Sequence, residues 1–259
     1  MSFFTNLDDR SLLVVDLDGV LTNGDADGRR RLDKALLARR ESVVLVYVSG
    51  RSLAEQLETI QKLDLLAPDY IVSHVGTEIY RLPGEHPLDE WYRYIQVGYD
   101  REALVAYLAE HRPELTPQPD EHQTPLKASY FVENMTAVAL DELQQELVAA
   151  GCAAKLVYSR QIYLDIIPER AGIGTAVKFL VDSLVLFPNQ VFVCGDSGND
   201  IDLFQYGFRG IVVGNASREL KKAVELRAYF SHAGYAAGLL EGLKHYNFFT
   251  AESRATKRD

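Results

Sequence analysis

Short apolar runs that stop abruptly at polar clusters open the chain and recur near residue 190. Leu12-Leu13-Val14-Val15 breaks into Asp16-Leu17-Asp18-Gly19, and Val43 to Val48 breaks into Ser49-Gly50-Arg51-Ser52. Gln190-Val191-Phe192-Val193-Cys194 breaks into Gly195-Asp196-Ser197-Gly198-Asn199-Asp200. Runs this short and unalternated read as strands buried on both faces of a parallel sheet. Tyr70-Ile71-Val72, ending near Val75-Gly76-Thr77, and Ile211-Val212-Val213 extend the series. Between them lie helical patterns. Ser52 and Glu55 form a capping-box pair, which predicts a helix start that carries Leu53, Leu57 and Ile60 inward. Another helix is expected after residue 200, presenting Ile201, Leu203 and Phe204 and stopping at Gly207.

Strands alternating with helices define an α/β fold with a doubly wound parallel sheet, whose ligand site lies at the carboxyl ends of the strands. Four strand ends here carry acidic, hydroxyl or glycine-rich clusters, and the opposite ends do not. That one-sidedness is the main functional signal.

Residues from about 83 to 168 follow a different pattern. Pro83-Gly84 and Pro87 mark a break, and a helix is expected near Arg101–His111, followed by turns at Pro113, Pro117 and Pro119. Leu126–Val132, Lys155–Tyr158 and Ile162–Leu164 are strand-like, and Leu140, Leu143, Leu147 and Val148 share one helical face. The expected organisation is a core of residues 1–82 and 169–259 with a small α/β cap of residues 83–168 inserted into it.

Composition narrows the function. The 259 residues are 47% hydrophobic and 25% charged, an ordinary globular balance with enough chain for a sizeable core. The net charge of -10 disfavours nucleic acid as a partner and requires a phosphorylated ligand to meet a local reversal of sign. No apolar stretch is long enough to span a membrane, and Met1–Asn6 lacks a signal-peptide pattern. The two cysteines, Cys152 and Cys194, have no metal-ligand spacing and fit a reducing, cytoplasmic setting.

The acidic clusters carry the chemistry. Asp16 and Asp18 sit two apart at a strand end, so extended backbone sends both carboxyls to one side. Asp196 and Asp200 end another strand, and if the two strands are neighbours their oxygens converge. Crowded carboxylates repel unless a cation or proton separates them, and hard oxygen ligands suit Mg²⁺. A single Asp-x-Asp is more often turn chemistry than catalysis. Two such clusters beside Ser49-Gly50-Arg51 outweigh that simpler reading.

These segments resemble the first, second and fourth motifs of haloacid dehalogenase superfamily phosphatases. Val75–Tyr80, Leu126–Tyr130, Gly214-Asn215-Ala216 and Ser231–Gly234 are similar to its sucrose-phosphatase-like branch, which includes mannosylfructose-phosphate phosphatases. The resemblance implies Asp16 as nucleophile, forming an aspartyl-phosphate, with Asp18 as general acid and base. It implies Mg²⁺ held by Asp16, the Asp18 carbonyl and Asp196, with Asp200 as ligand or support. Ser49 and Gly50 would bind phosphate, and closure of the cap would exclude water. The implied reaction is hydrolysis of a disaccharide phosphate, sucrose 6-phosphate first and mannosylfructose phosphate or another glycosyl phosphate second. The third motif departs from the pattern: Ile173 stands where the family has a Lys. Arg170 or Lys178 reaches in to replace it, or Mg²⁺ alone suffices, or the chain has become a weakly catalytic partner of a sugar-phosphate synthase. The expected state is a monomer that takes a small-molecule sugar phosphate, with association with a synthase as a further expectation.

Other residues have two readings each. Arg51, Glu78, Lys127 and Asn215 are candidate substrate ligands. Arg51 could equally pair with nearby carboxylates, Lys127 and Glu78 could be solvated, and Asn215 could orient a loop. His232 reads as loop structure. Trp91, with Tyr92, Tyr94 and Tyr99, either stacks on a sugar or packs the cap.

Overall fold

The computed structural model describes residues 10–24 and 26–250. The start Met1–Asn6, read above as lacking a signal-peptide pattern, and the tail after Thr250 lie outside the described residues. The chain runs β1 (Ser11–Asp16), α1 (Ala26–Leu37), β2 (Val43–Val48), α2 (Leu53–Lys62) and β3 (Tyr70–Ser73). It continues through β4 (Glu78–Arg81), β5 (His86–Pro87), α3 (Asp89–Ile95) and α4 (Arg101–His111). Next come β6 (Thr116–Pro117), β7 (Ala128–Phe131), α5 (Ala137–Ala149), β8 (Ala154–Ser159) and β9 (Tyr163–Pro168). It closes with α6 (Ile173–Ser183), β10 (Val191–Gly195), β11 (Arg209–Val212), α7 (Arg218–Ala223), β12 (Ala228–Phe230) and α8 (Tyr235–His245).

Eight strands form one sheet in the order β12-β11-β10-β1-β2-β3-β4-β5. From β12 to β3 all pairs are parallel, and β4 and β5 add an antiparallel edge. In the three central strands, β10, β1 and β2, Leu12, Val14, Val46, Val48, Val191 and Val193 are fully enclosed. Helices cover both sheet faces, so these segments need no polar alternation. A second, antiparallel sheet in the order β6-β7-β9-β8 packs with α4 and α5 around its own cluster of Leu104, Leu108, Leu143, Leu147, Leu164 and Ile166.

Several expectations are corrected. The edge strand β5 pairs with β4 of the large sheet, and Trp91 and Ile95 of α3 belong to the large hydrophobic cluster. Residues 86–95 are thus tied to the larger sheet by strand pairing and packing. Trp91 is buried between its Nε1–H bond to the Gly76 carbonyl (3.2 Å) and the Phe179 ring, so it neither stacks on a ligand nor packs the cap. In α2 the capping box forms, with Glu55 N–H to Ser52 Oγ at 3.3 Å and Ser52 N–H to Glu55 Oε2 at 2.9 Å. The enclosed residue of that helix is Gln56, however, and Leu53, Leu57 and Ile60 are only half-buried. Gln56 turns inward because its Nε2 donates to the carbonyls of Arg51 and Val72. Val148 is 64% exposed and off the packed face of α5. The helix after Asp196 is a 3₁₀ segment, Gly198–Gln205.

Where the chain returns from the smaller unit, Gly172 lies directly against Gly76. Gly76 has φ +89°, and a Cβ there would sit 2.2 Å from the Gly172 carbonyl carbon. No side chain fits without moving backbone. Gly76→Ala is expected to lower stability by about 2–4 kcal/mol, from left-handed strain plus overpacking. Urea unfolding reads this directly, and an unchanged midpoint would show that the crossing can relax.

Candidate active site

Register alone brings the acidic segments together. Val15 pairs with Cys194 and Asp16 with Val48, so Asp16, Asp196 and Ser49 leave the sheet at adjacent strand ends. After Asp16 the chain turns sharply, with Asp18 extended and Gly19 at φ +75°. A Cβ on Gly19 would lie 1.8 Å from Asp196 Oδ2, so only glycine lets this turn close over the second acidic loop.

One carboxylate oxygen each from Asp16, Asp196 and Asp200 lies within 4.8 Å of the others. Burial pushes Asp16 well above the usual carboxylate range, and the charges of Asp200, Asp196 and Asp18 push it further. Asp200 is fully enclosed and raised to about 8, first by burial and then by Asp196. Its Oδ2 accepts from the Asp196 and Ser197 N–H groups at 2.9 and 3.1 Å, whereas its Oδ1 has no partner among the described residues. Burial likewise raises Asp196. A buried oxygen without a donor, inside a ring of acids that resist ionising together, fits a hard divalent cation.

Asp18 faces the same cleft and is held from two sides. Arg51 donates through Nη2 to Asp18 Oδ1 at 2.7 Å and through Nε to Oδ2 at 2.9 Å. The Ser49 hydroxyl donates to Asp18 Oδ2 at 3.0 Å and accepts from the Arg51 N–H at 3.1 Å. Of the two readings of Arg51, the structure adopts the carboxylate pair, while the side chain still lines the cleft. Gly50 is exposed at the rim. Beneath this loop, His74 and Val75 both take left-handed backbone, at φ 47° and 60°. Their N–H groups bond the carbonyls of Arg51 and Ser49 at 2.9 and 3.3 Å. The local strain at a β-branched residue thus fixes the phosphate-side loop.

The cleft, about 280 Å³, lies between the two units. Its far wall comes from the smaller sheet. Lys127, 3% exposed, reaches Asp165 Oδ1 at 3.2 Å, and the Ser129 hydroxyl donates to the same oxygen at 2.6 Å. Lys127 is thus no solvated surface residue. Asp165, Arg160, Gln118, His122 and Tyr163 also line the cleft, and the sequence reading missed all five. Asp165 left one signal, a lone charge inside the apolar run Tyr163–Ile167.

Two candidate substrate ligands lie elsewhere. Glu78 accepts from the Ser73 and Tyr80 hydroxyls, both at 3.1 Å, and does not line the cleft. Asn215 donates to the Gly19 carbonyl at 2.9 Å and accepts from Tyr235 N–H at 2.7 Å, which uses both ends of its amide to clamp the site loop. His232 pairs with Glu241 in an exposed loop. Ile173 is 1% exposed in the large cluster. Neither expected replacement for the missing Lys reaches the acids: Arg170 lies over the Tyr94 ring at 5.4 Å, and exposed Lys178 pairs with Asp182.

This architecture recurs among known proteins. A haloacid dehalogenase-like hydrolase protein from Bacillus subtilis superposes with a TM-score of 0.66 at 18% identity, covering 91% of each chain. At that identity the likeness shows the fold alone, a haloacid dehalogenase-like α/β fold. The sucrose-phosphatase from Synechocystis sp., solved in complex with sucrose and phosphate, is similar at a TM-score of 0.85 and 32% identity. The match covers 92% of this chain and 98% of that one. A mannosylfructose-phosphate phosphatase of Agrobacterium fabrum is 34% identical over 240 residues, 91% of this chain and 96% of its relative. The sucrose-6F-phosphate phosphohydrolase family profile matches residues 9–247, and the chain belongs to that family.

Proposed function

We propose that the protein is a Mg²⁺-dependent phosphoric monoester hydrolase that cleaves a disaccharide phosphate, with sucrose 6-phosphate as the preferred substrate. One observation carries this reading: carboxylate oxygens of buried Asp16 and Asp200 and half-buried Asp196 converge at adjacent strand ends, beside a cleft that Asp16 and Asp18 line and a second unit walls. When bound there by Asp16, Asp196 and Asp200, Mg²⁺ would offset the carboxylate charge and polarise the phosphoryl oxygens.

The chain's own residues then divide the work. Asp16 attacks phosphorus, forming an Oδ–P bond as the ester P–O bond breaks, and Asp18 gives the departing sugar oxygen its proton. In the second half, Asp18 takes a proton from water as that water attacks the aspartyl-phosphate, which frees Asp16 and phosphate. Ser49 and Arg51 hold Asp18 in place for both transfers. Lys127 and Asp165 offer the sugar a cation and an acceptor on the cap side of the cleft.

Sucrose 6-phosphate is favoured by the family match and by the likeness to a sucrose-phosphatase solved with sucrose. Mannosylfructose phosphate is the second reading, supported by the 34% identity to a phosphatase of that ester. Phosphate release across a panel of sugar phosphates, with Asp16→Asn as control, separates the two. Release from neither, or release that survives in the control, would overturn the proposal.

Among the described residues no helix is long and apolar enough to cross a membrane, and both cysteines are free. Those free thiols support a cytoplasmic setting. A disaccharide phosphate is made by glycosyl transfer onto a sugar phosphate, so a sugar-phosphate synthase is the proposed partner. The protein is proposed to be a monomer on its own, and size-exclusion chromatography with and without the synthase checks both points.

A further inference from the structure

The charge at the site is out of balance, and one side chain is placed to correct it. Asp16, Asp18, Asp196 and Asp200 crowd one corner, and a phosphate ester adds more negative charge. One divalent ion does not offset this total. The candidate cations of the core are spent or missing, because Ile173 is apolar, Arg170 and Lys178 are engaged elsewhere, and Arg51 is committed to Asp18. In the cap wall, Lys127 is committed to Asp165.

Arg160 is different. It lines the same cleft as Asp16 and Asp18, and its guanidinium has no hydrogen bond or salt bridge among the described residues. Its backbone is also specified against preference. Arg160 and Gln161 form the tip of the β8–β9 hairpin at φ 52° and 60°, closed by Ile162 N–H to the Ser159 carbonyl at 3.3 Å. Two left-handed residues in succession make a turn that ordinarily takes Asn-Gly. The tip is tied down by Asn134 N–H to the Gln161 carbonyl at 3.0 Å and Val132 N–H to the Ile162 carbonyl at 2.9 Å. The hairpin therefore holds an uncommitted guanidinium over the acidic corner at some cost in backbone strain.

We propose that Arg160 is a catalytic residue that contacts the phosphoryl oxygens of the substrate and supplies, from the cap, the cation that Ile173 cannot supply from the core. This rests on the phosphatase reading above. It makes turnover depend on the cap hairpin sitting over the core. A planar guanidinium suits two phosphoryl oxygens at once.

Steady-state phosphate release from sucrose 6-phosphate or mannosylfructose phosphate, whichever the panel selects, tests it in four proteins: wild type, Arg160→Gln, Ile173→Lys and the double variant. Arg160→Gln is expected to lower kcat by about 30- to 300-fold, the scale of losing one transition-state donor. Its affinity for inorganic phosphate, measured calorimetrically with Mg²⁺ present, should fall in parallel. Ile173→Lys alone should change kcat by less than about threefold, yet in the Arg160→Gln background it should recover about tenfold or more. Guanidinium chloride at millimolar concentration should partly restore an Arg160→Gly variant, which keeps the test open if Ile173→Lys disturbs the core. An active wild type with kcat and phosphate affinity unchanged in Arg160→Gln overturns this assignment alone. An active wild type whose Arg160 variants are rescued neither by Ile173→Lys nor by guanidinium overturns it too. An inactive wild type on every sugar phosphate overturns the phosphatase reading, and this assignment falls with it.

Discussion

Asp16→Asn is expected to reduce phosphate release by about 10⁴-fold or more while leaving the fold intact. The amide matches the carboxylate in shape, so the buried position stays filled, but it cannot attack phosphorus. The substitution also removes a carboxyl whose ionisation burial and the charges of Asp200, Asp196 and Asp18 all oppose, which relieves repulsion in the metal-free protein. The variant should therefore melt at or above the wild-type temperature when no divalent ion is present. Loss of activity together with retained stability separates a chemical role from a structural one. If Asp16→Asn turned over at even a tenth of the wild-type rate, Asp16 would not be the nucleophile.

The second large effect is a dependence of stability on pH and metal. Asp16 and Asp200 have folded-state pKa values raised by burial and by neighbouring carboxylates, Asp200 to about 8. A raised acid binds its proton more tightly folded than unfolded. Its stabilisation is complete below the ordinary carboxylate pKa of about 4 and is lost as pH rises through the folded value. The metal-free protein should therefore lose melting temperature between about pH 5 and pH 8 relative to an Asp200→Asn variant. Glu241 acts oppositely and in another window: the N–H groups of Ala233 and His232 lower it to about 2, so its contribution is lost as pH falls from the ordinary carboxylate range towards 2. Added Mg²⁺ should restore wild-type stability at pH 8 and do little at pH 5, because the ion competes with protons for the same oxygens. Thermal unfolding with and without chelator measures this. A wild type whose melting temperature is flat or rising over that range relative to Asp200→Asn would show that the acids are not coupled as the geometry indicates.

The sequence made the centre of this molecule legible because its signals are local. Strands enclosed on both faces show as short continuous apolar runs, and their polar ends mark the rim. The Ser52–Glu55 cap is written in four consecutive residues. What was hidden depends on pairing across the chain. Asp165 gains meaning only when β7 and β9 align Ser129 opposite it, beside Lys127. Arg160 reads as an ordinary turn residue until the hairpin is seen over the acids. The outer strands β4, β5 and β12 are short and largely half-buried or exposed, so they lack the apolar density that betrayed the centre. Helix α2 misled because a buried amide, Gln56, was bonded to backbone carbonyls that no periodicity counts. Glu78 and Asn215 have polar side chains in the right neighbourhood, but each is already committed to partners inside the protein.

The most direct measurement is to quench the enzyme with acid during turnover of its sugar phosphate and locate any phosphoryl group by peptide mass spectrometry. The account predicts a phosphorylated peptide containing Asp16, present with Mg²⁺ and absent after chelation or in Asp16→Asn. A protein that turns over briskly yet carries its phosphoryl group on another residue would contradict it.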